Sequence, residues 1–221
     1  MNIIQVITSI YLLWFERVIL NQVNFSDSCD FNNVNIFAVP HFNLKLDEEY
    51  PEYLSNSFKK LILDLTQDKK ILTTEVIPRD PVYTAFDIGF SNTSQSKSIF
   101  SDTVLYITRD KNNKINKNTI KQRVVDAILK FFTPTHNELG QKIDILSLST
   151  DILSIEGVKS IKTTNKKENV SHYGVSFVTW NPMFEGVDEQ IVTQTITLPF
   201  FKFPYLYRPN SIINRIEVVD E

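Results

Sequence analysis

The chain has 221 residues and a hydrophobic content of 42%, which is enough for a sizeable core in one or two domains. Its formal net charge of -3 supplies no basic excess, so the composition argues against a nucleic-acid binder. Cys29 is the single cysteine and excludes an internal disulfide, while 5 glycines are few for glycine-rich phosphate loops.

The first 23 residues form an apolar segment, centred on residues 10–15. Glu16 and Arg17 interrupt it, so its uninterrupted run is far shorter than the ~20 residues that cross a bilayer. It also lacks the basic start and small-residue cleavage site of a signal peptide. We predict a buried or partner-covered helix here and no membrane role. A chain that begins inside a longer reading frame is a second explanation. A polar turn region, residues 24–33, is expected to follow.

Strands and one helix are predicted next. Residues 33–40 and 71–77 have strand-like composition. Between them, Pro51 suits the first turn of a helix, whose predicted buried residues are Leu54, Phe58, Leu61, Ile62 and Leu65. Residues 82–90 alternate cleanly between two faces, and residues 104–107 form the expected partner strand.

The stretch from Asn118 to Thr164 is the segment around which the chain is organised. It predicts a helix, a shorter helix and a strand, with Pro134 after the first helix and Gly157 at the turn after the second. Helical spacing gives the first helix an apolar stripe of Ile120, Val124, Ala127, Ile128, Phe131 and Phe132. The second stripe comprises Leu148, Ile152, Leu153 and Ile155.

The order of these elements indicates an α+β fold, specifically a ferredoxin-like split β-α-β sandwich. The predicted units are an N-terminal apolar segment and loop at 1–32, an α+β core domain at 33–165, and a C-terminal β-rich extension at 166–221. Residues 162–169 are polar and basic and predict a hairpin or linker between the last two units.

The C-terminal extension predicts strands at 175–180 and 190–198, followed by an aromatic arm at 199–207. The arm contains Pro199 and Pro204 and therefore cannot be a central strand. Its rings are expected either to pack on the chain's own domain or to dock on a partner, and the sequence favours neither. The candidate interaction residues are Phe200, Phe201, Phe203, Tyr205, Tyr207 and Trp180.

No sequence motif predicts catalysis, a cofactor or a metal. The three histidines, His41, His136 and His172, are far apart, and Cys29 has no evident neighbouring base. Asp80 before Pro81 could be an acid, but starting a turn is its simpler role. Residues 110–114 resemble a calcium loop only faintly, since the central glycine and closing glutamate are missing. We therefore predict a protein that is not an enzyme.

Five short segments, in this order and spacing, resemble the C-terminal part of a phage baseplate wedge protein of the baseplate J-like family, in the large form of T-even-type contractile-tailed phages. They are Asn35 to Pro40, Asp80 to Thr84, Phe131-Phe132 with Leu139-Gly140-Gln141, Ile155 to Val158, and Trp180-Asn181-Pro182. The resemblance covers about residues 33–219. Members of this form are much longer, so the chain looks like a C-terminal piece or a split gene product.

The resemblance implies a structural virion protein with no catalytic residues. It implies contacts with other copies of the chain, as a homo-dimer or ring, and with other baseplate wedge subunits, without nucleic acid or membrane. The implied location is the tail baseplate of the virion, with the host cytoplasm as the place of assembly. The alternatives are a small ligand- or RNA-binding α+β module and a membrane-associated protein held by residues 1–23.

Overall fold

The structure is a computed structural model that describes residues 18–25, 33–40, 53–67, 75–89, 103–132, 138–166, 169–182 and 190–221. These residues form a mixed α+β fold with several sheets, as the sequence predicts. Predicted features at Cys29, His41, Pro51, Pro134 and His136 lie outside the described residues.

The first sheet contains three strands. They are β1 (Val18–Phe25), β2 (Asn33–Pro40) and β3 (Glu75–Arg79), in the order β1-β2-β3. β1 pairs antiparallel with β2, so residues 18–23 belong to a strand and not to the helix that we predicted for this part of the N-terminal segment. β2 and β3 are parallel, and α1 (Asn56–Gln67) is the helix that connects them.

α1 packs on one face of this sheet. Ile62 and Phe58 contact Val34, Ile36 and Val76. The predicted buried residues Ile62 and Leu54 are buried, but Leu61 and Leu65 are exposed, which corrects the predicted face of this helix. On the opposite face of β2, Phe37 and Val39 belong to a separate, smaller hydrophobic core that contains Phe203.

A second sheet has the strand order β10-β9-β4-β12. Its members are β4 (Val82–Ile88), β9 (Phe177–Trp180), β10 (Gln190–Val192) and β12 (Lys202–Leu206). We predicted a half-buried alternation for β4, yet every residue from Tyr83 to Ile88 is buried. Because β4 lies between β9 and β12 and is covered on both faces, its polar residues are buried as well.

The third sheet has the order β13-β5-β7-β8 and is covered by the two helices of the organising segment. Its strands are β5 (Thr103–Arg109), β7 (Val158–Asn165), β8 (Val170–Tyr173) and β13 (Ile216–Asp220), and α2 (Lys117–Phe131) and α3 (Ile145–Leu153) join β5 to β7. Asn116 caps α2 by accepting a hydrogen bond from the Asn118 amide at 2.9 Å. In α2 the predicted stripe faces the core, whereas Leu153 of α3 is exposed.

A two-stranded sheet pairs β11 (Thr195–Thr197) with β6 (Lys142–Asp144). The single strand predicted at 190–198 is therefore two strands, β10 and β11, in different sheets. A 3-10 helix, Pro209–Arg215, precedes β13. Of the two alternatives predicted for residues 162–169, a hairpin or a linker, the structure has the hairpin, since β7 and β8 pair antiparallel; residues 162–165 are part of β7.

The main core gathers α2, α3 and residues from the second and third sheets, including Phe86, Leu105, Ile128, Phe177 and Ile216. The strands predicted to form one ferredoxin-like sheet, β2 to β5 and β7, are distributed over three sheets, so the ferredoxin-like arrangement is not confirmed. Residues on both sides of the predicted boundary at 165 belong to the same sheets and to the same hydrophobic core.

Candidate interaction site

The predicted aromatic arm forms β12 and lies parallel to β4, with Phe203 opposite Tyr83. Two backbone bonds fix its ends, from the Val82 amide to the Phe201 oxygen at 2.9 Å and from the Tyr207 amide to the Phe86 oxygen at 2.8 Å. β12 is the edge strand of its sheet, and this position tolerates Pro204, which has no amide hydrogen to donate.

Rings from four parts of the chain meet around β12. We define the aromatic cluster as Phe37, Tyr53, Tyr83, Phe200, Phe201, Phe203 and Tyr205. Tyr83 contacts Phe203 and Tyr205 edge-on, with ring centroids 6.1 and 6.0 Å apart. Phe37 contacts Phe200 edge-on at 5.9 Å, and Tyr53 contacts Tyr83 at 5.4 Å. Such edge-to-face pairs contribute stabilisation in addition to that from the apolar area they bury.

The six candidate interaction residues differ in burial. Phe203 and Trp180 are buried, and Trp180 contacts Tyr207 with centroids 5.0 Å apart. Phe200, Phe201, Tyr205 and Tyr207 are half-buried. The arm therefore packs on its own chain, which was one of the two predicted alternatives. Docking on a partner remains a prediction that involves the half-buried rings.

The turn at Leu139 and Gly140 packs against the arm and is hydrogen-bonded to it. Leu139 is buried with Tyr83 and Phe203, and the Gly140 amide donates to the Lys202 oxygen at 3.0 Å. Gly140 has φ +68°, and a Cβ atom there would lie 2.8 Å from the Phe200 Cα. Glycine is thus required both by the backbone conformation and by the close approach of the arm.

We expect Gly140→Ala to destabilise the fold by more than the ~1–2 kcal/mol that a left-handed conformation costs an L-residue. The additional loss arises because the methyl group must displace the backbone at Phe200. Urea unfolding of the variant measures it. Gly174→Ala is the matched control, because Gly174 also has positive φ (+98°) but its Cβ would meet nothing closer than the Ser149 hydroxyl at 3.7 Å. Equal losses for the two variants would contradict this account of the turn.

Asp80 holds the start of α1 next to the aromatic cluster. Its carboxylate accepts a hydrogen bond from the Leu54 amide at 3.1 Å and pairs with Lys59. Burial, with the Asp80 charge as a smaller cause, raises the pKa of Tyr53 above its usual value. These contacts differ from the turn-starting role predicted for Asp80, because its oxygens bind the segment that leads into α1 and the first turn of that helix.

A buried ion pair joins the 3-10 helix to the two larger sheets. Arg215 donates to Asp87 Oδ2 at 2.8 Å, to the Thr103 oxygen at 2.9 Å and to the Ile88 oxygen at 2.6 Å. Burial raises the pKa of Asp87, and the neighbouring Arg215 charge opposes that shift. Sequence reasoning missed this pair, because alternation along β4 assigns Asp87 to a polar face.

Among the other residues considered for chemistry, His172 and Asp110 lie within the described residues. Within the described ranges, no group of three histidine, cysteine, aspartate or glutamate side chains is arranged to hold a metal ion. His172 lies in β8. Asp110 forms a surface turn in which its carboxylate accepts from the Asn112 amide at 2.9 Å. None of the helices in the described ranges has the length and apolar character needed to cross a membrane.

Sequence alone missed the partners of the arm. Phe37, Tyr83 and Leu139 were predicted only as parts of strands or turns, although they enclose Phe203. Their large apolar side chains were the available signal, but nothing in a linear pattern pairs them with residues more than 60 positions away. No protein family model matches the chain, and no curated protein has significant sequence similarity to it.

Proposed function

We propose that the chain is a structural subunit of a contractile phage tail baseplate, a wedge component that acts in virion assembly through protein–protein contacts. The observation that carries this proposal is that three of the five resembling segments meet at one place in the fold. Residues 35–40, residues 80–84 and the Leu139-Gly140-Gln141 turn each contribute a side chain to the core that holds Phe203. These segments are distant in sequence, so their meeting supports resemblance to a folded unit over chance similarity of short motifs.

The half-buried rings of the arm are the proposed contact surface. Aromatic residues are enriched among the residues that contribute most to binding energy, because they bury a large area with few rotatable bonds. Phe201 and Tyr205 are half-buried beside the fully buried Phe203. Phe203 therefore anchors the arm, while its neighbours are partly exposed and are the residues that we assign to a contact with another copy of the chain or with another wedge subunit.

The proposal depends on the mixed α+β architecture and on the arm. It does not depend on the finer ferredoxin-like split β-α-β arrangement. The implied location in the virion, and in the host cytoplasm during assembly, is part of the same proposal.

Incorporation into particles tests the proposal. We expect Phe201→Ala and Tyr205→Ala each to reduce the amount of this chain in purified phage particles, since truncation of an aromatic hot-spot residue at an interface costs about 2 kcal/mol or more. Quantitative mass spectrometry of the particles measures the amount, and urea unfolding of each purified variant reports whether it is folded.

Tyr173→Ala is the matched control, because Tyr173 is 84% exposed on β8, outside the arm. It is expected to leave incorporation unchanged. Absence of all peptides of this chain from wild-type particles would refute the baseplate proposal. Equal incorporation of the arm variants and the wild type would refute the assignment of the contact surface to the arm.

A further inference from the structure

The edge strand β13 is unevenly buried along its length. Ile216 is fully buried in the main core, and Val218 is half-buried against that core. Val219, Asp220 and the following Glu221 are exposed. Apolar burial therefore attaches the first part of this strand to β5, and it contributes little to the attachment of the last part.

The start of β13 is also fixed by the residue that precedes it. Arg215 donates to the Asp87 carboxylate and to two backbone oxygens. This buried guanidinium holds the beginning of the strand against both larger sheets. Opening of β13 is therefore expected to begin at its other end.

Ion pairs hold that other end. Asp220 lies opposite Arg109 in the ladder and pairs with it at 2.7 Å, and it pairs with Lys117, the first residue of α2, at 2.6 Å. Glu221 pairs with Lys159 of β7. Because β5 lies between β13 and β7 in the sheet, this last contact reaches across a whole strand.

A further ion pair reaches across β5 near the middle of β13. Glu217 pairs with Lys166, which directly follows β7. The Lys166 ammonium also lies 5.8 Å from the centre of the Tyr106 ring of β5. All three acidic side chains of residues 217–221 are thus paired with cations from other elements. We define residues 217–221 as the strap.

The ion pairs of the strap are open to solvent. In the two pairs that reach across β5, the side chains are 41–59% exposed. Salt screens such pairs, because the Debye length falls from about 10 Å at 0.1 M ionic strength to about 3 Å at 1 M. Each exposed pair contributes little to the stability of a whole protein. Opening of a short edge segment costs far less free energy than global unfolding, so several pairs together change its population appreciably.

We propose that the strap is an edge segment held by ion pairs, and that it detaches from β5 when those pairs are screened while the rest of the fold stays intact. Its hinge lies at Arg215 and Ile216, whose buried contacts are screened much less by salt. Detachment exposes the edge of β5 at residues 106–109, and other chains can pair with such an edge. This inference is independent of the proposed baseplate function, because it rests on the contacts of β13 alone.

Hydrogen exchange of the full chain at two salt concentrations tests the proposal. We expect the amides of the strap to exchange about tenfold faster in about 1 M sodium chloride than in about 0.05 M, because its ion pairs are screened. The amides of residues 106–109 that point toward β13 are expected to change with them. Residues 161–164 of β7 are the internal reference and are expected to change little.

Neutral replacement of the three acids is expected to release the strap without added salt. The variant combines Glu217→Gln, Asp220→Asn and Glu221→Gln. We expect its strap to exchange about tenfold faster than that of the wild type at low salt, and to lose the dependence on salt, because no ion pair is left to screen.

A second triple variant is the matched control for net charge. It combines Asp64→Asn, Asp151→Asn and Glu156→Gln, three exposed acids outside β13. Its strap is expected to exchange at the wild-type rate and to keep the wild-type dependence on salt. Unchanged exchange of the strap at high salt, equal acceleration throughout the third sheet, or equal effects of the two triple variants would each overturn the proposal.

Discussion

Replacement of Arg215 by alanine is expected to lower the free energy of unfolding by about 3–5 kcal/mol at pH 7, the typical cost of breaking a buried ion pair. The reason is that Arg215 donates to the Asp87 carboxylate and to the Thr103 and Ile88 oxygens. The variant leaves the buried Asp87 without this cationic partner, and it removes the donor for two backbone oxygens. Urea unfolding monitored by circular dichroism measures the loss.

The pH dependence of this loss separates the charge effect from simple loss of packing. Burial raises the pKa of Asp87 above its ordinary 3.8, and the Arg215 charge opposes the shift. With a raised folded pKa, the stabilising contribution of Asp87 is complete below about pH 3.8 and is lost as pH rises through the folded pKa. Without Arg215 that pKa rises further, so the loss in Arg215→Ala should shrink as the solution is acidified from pH 7.

Lys166→Ala is the matched control for charge removal. Lys166 pairs with Glu217, but both side chains are largely exposed, and pairs of this kind contribute little to stability. A loss in Arg215→Ala that is no larger than in Lys166→Ala would show that the buried pair does not hold the 3-10 helix in place. A large loss that does not change with pH would assign it to packing alone.

Phe203→Ala is expected to destabilise the chain by about 3–5 kcal/mol, the range for deletion of a buried phenylalanine. Phe203 is fully buried and contacts Tyr83 and Leu139. The deletion leaves a cavity between β12, β4 and the turn that carries Leu139. The shift in the urea midpoint at constant slope measures the cost.

Tyr205→Ala, two residues further along β12, is the comparison for Phe203→Ala. Tyr205 is half-buried, so less area returns to solvent, and we expect a clearly smaller loss. Similar losses for the two variants would contradict the division of the arm into a buried anchor and partly exposed neighbours.

Local pattern predicted the organising segment well. In α2, the residues Ile120, Val124 and Ile128 face the core as their spacing indicated, and Gly157 has the positive φ of +94° expected after a helix. Helical periodicity is a local property, so it survives whatever partner the helix packs against. β2 and β5 also form where the composition placed them, and Asn181 and Pro182 follow the end of β9.

The pairing of strands could not be read from the sequence. β4 pairs with β9 and β12, and β5 pairs with β13, so both strands take neighbours from the C-terminal part of the chain. Burial of Asp87 follows from this enclosure. The division of residues 190–198 into β10 and β11 was missed for the same reason. An alternating segment can pair with one neighbouring strand or with two different ones, and its pattern does not distinguish the two cases.

The leucines of α1 illustrate the limit of a hydrophobic stripe. Phe58, Leu61, Ile62 and Leu65 have helical spacing, yet only Ile62 of these four is fully buried. A stripe specifies which side of a helix is apolar. How many of its residues are buried depends on which other elements pack against the helix. For the aromatic arm, the positions of the rings could be read from the sequence, but the choice between packing on its own domain and docking on a partner could not.

The late arrival of β12 and β13 has a consequence for synthesis of the protein. A ribosome completes β4 and β5 more than 90 residues before their parallel neighbours emerge. Until then the strand edges that β12 and β13 will cover have no partner from this chain, and they can pair with other nascent chains. The need to close such distant contacts also predicts slow folding. Chaperones that bind extended apolar segments are therefore expected to raise the yield of this protein, and slowed translation near the C-terminus is expected to lower it.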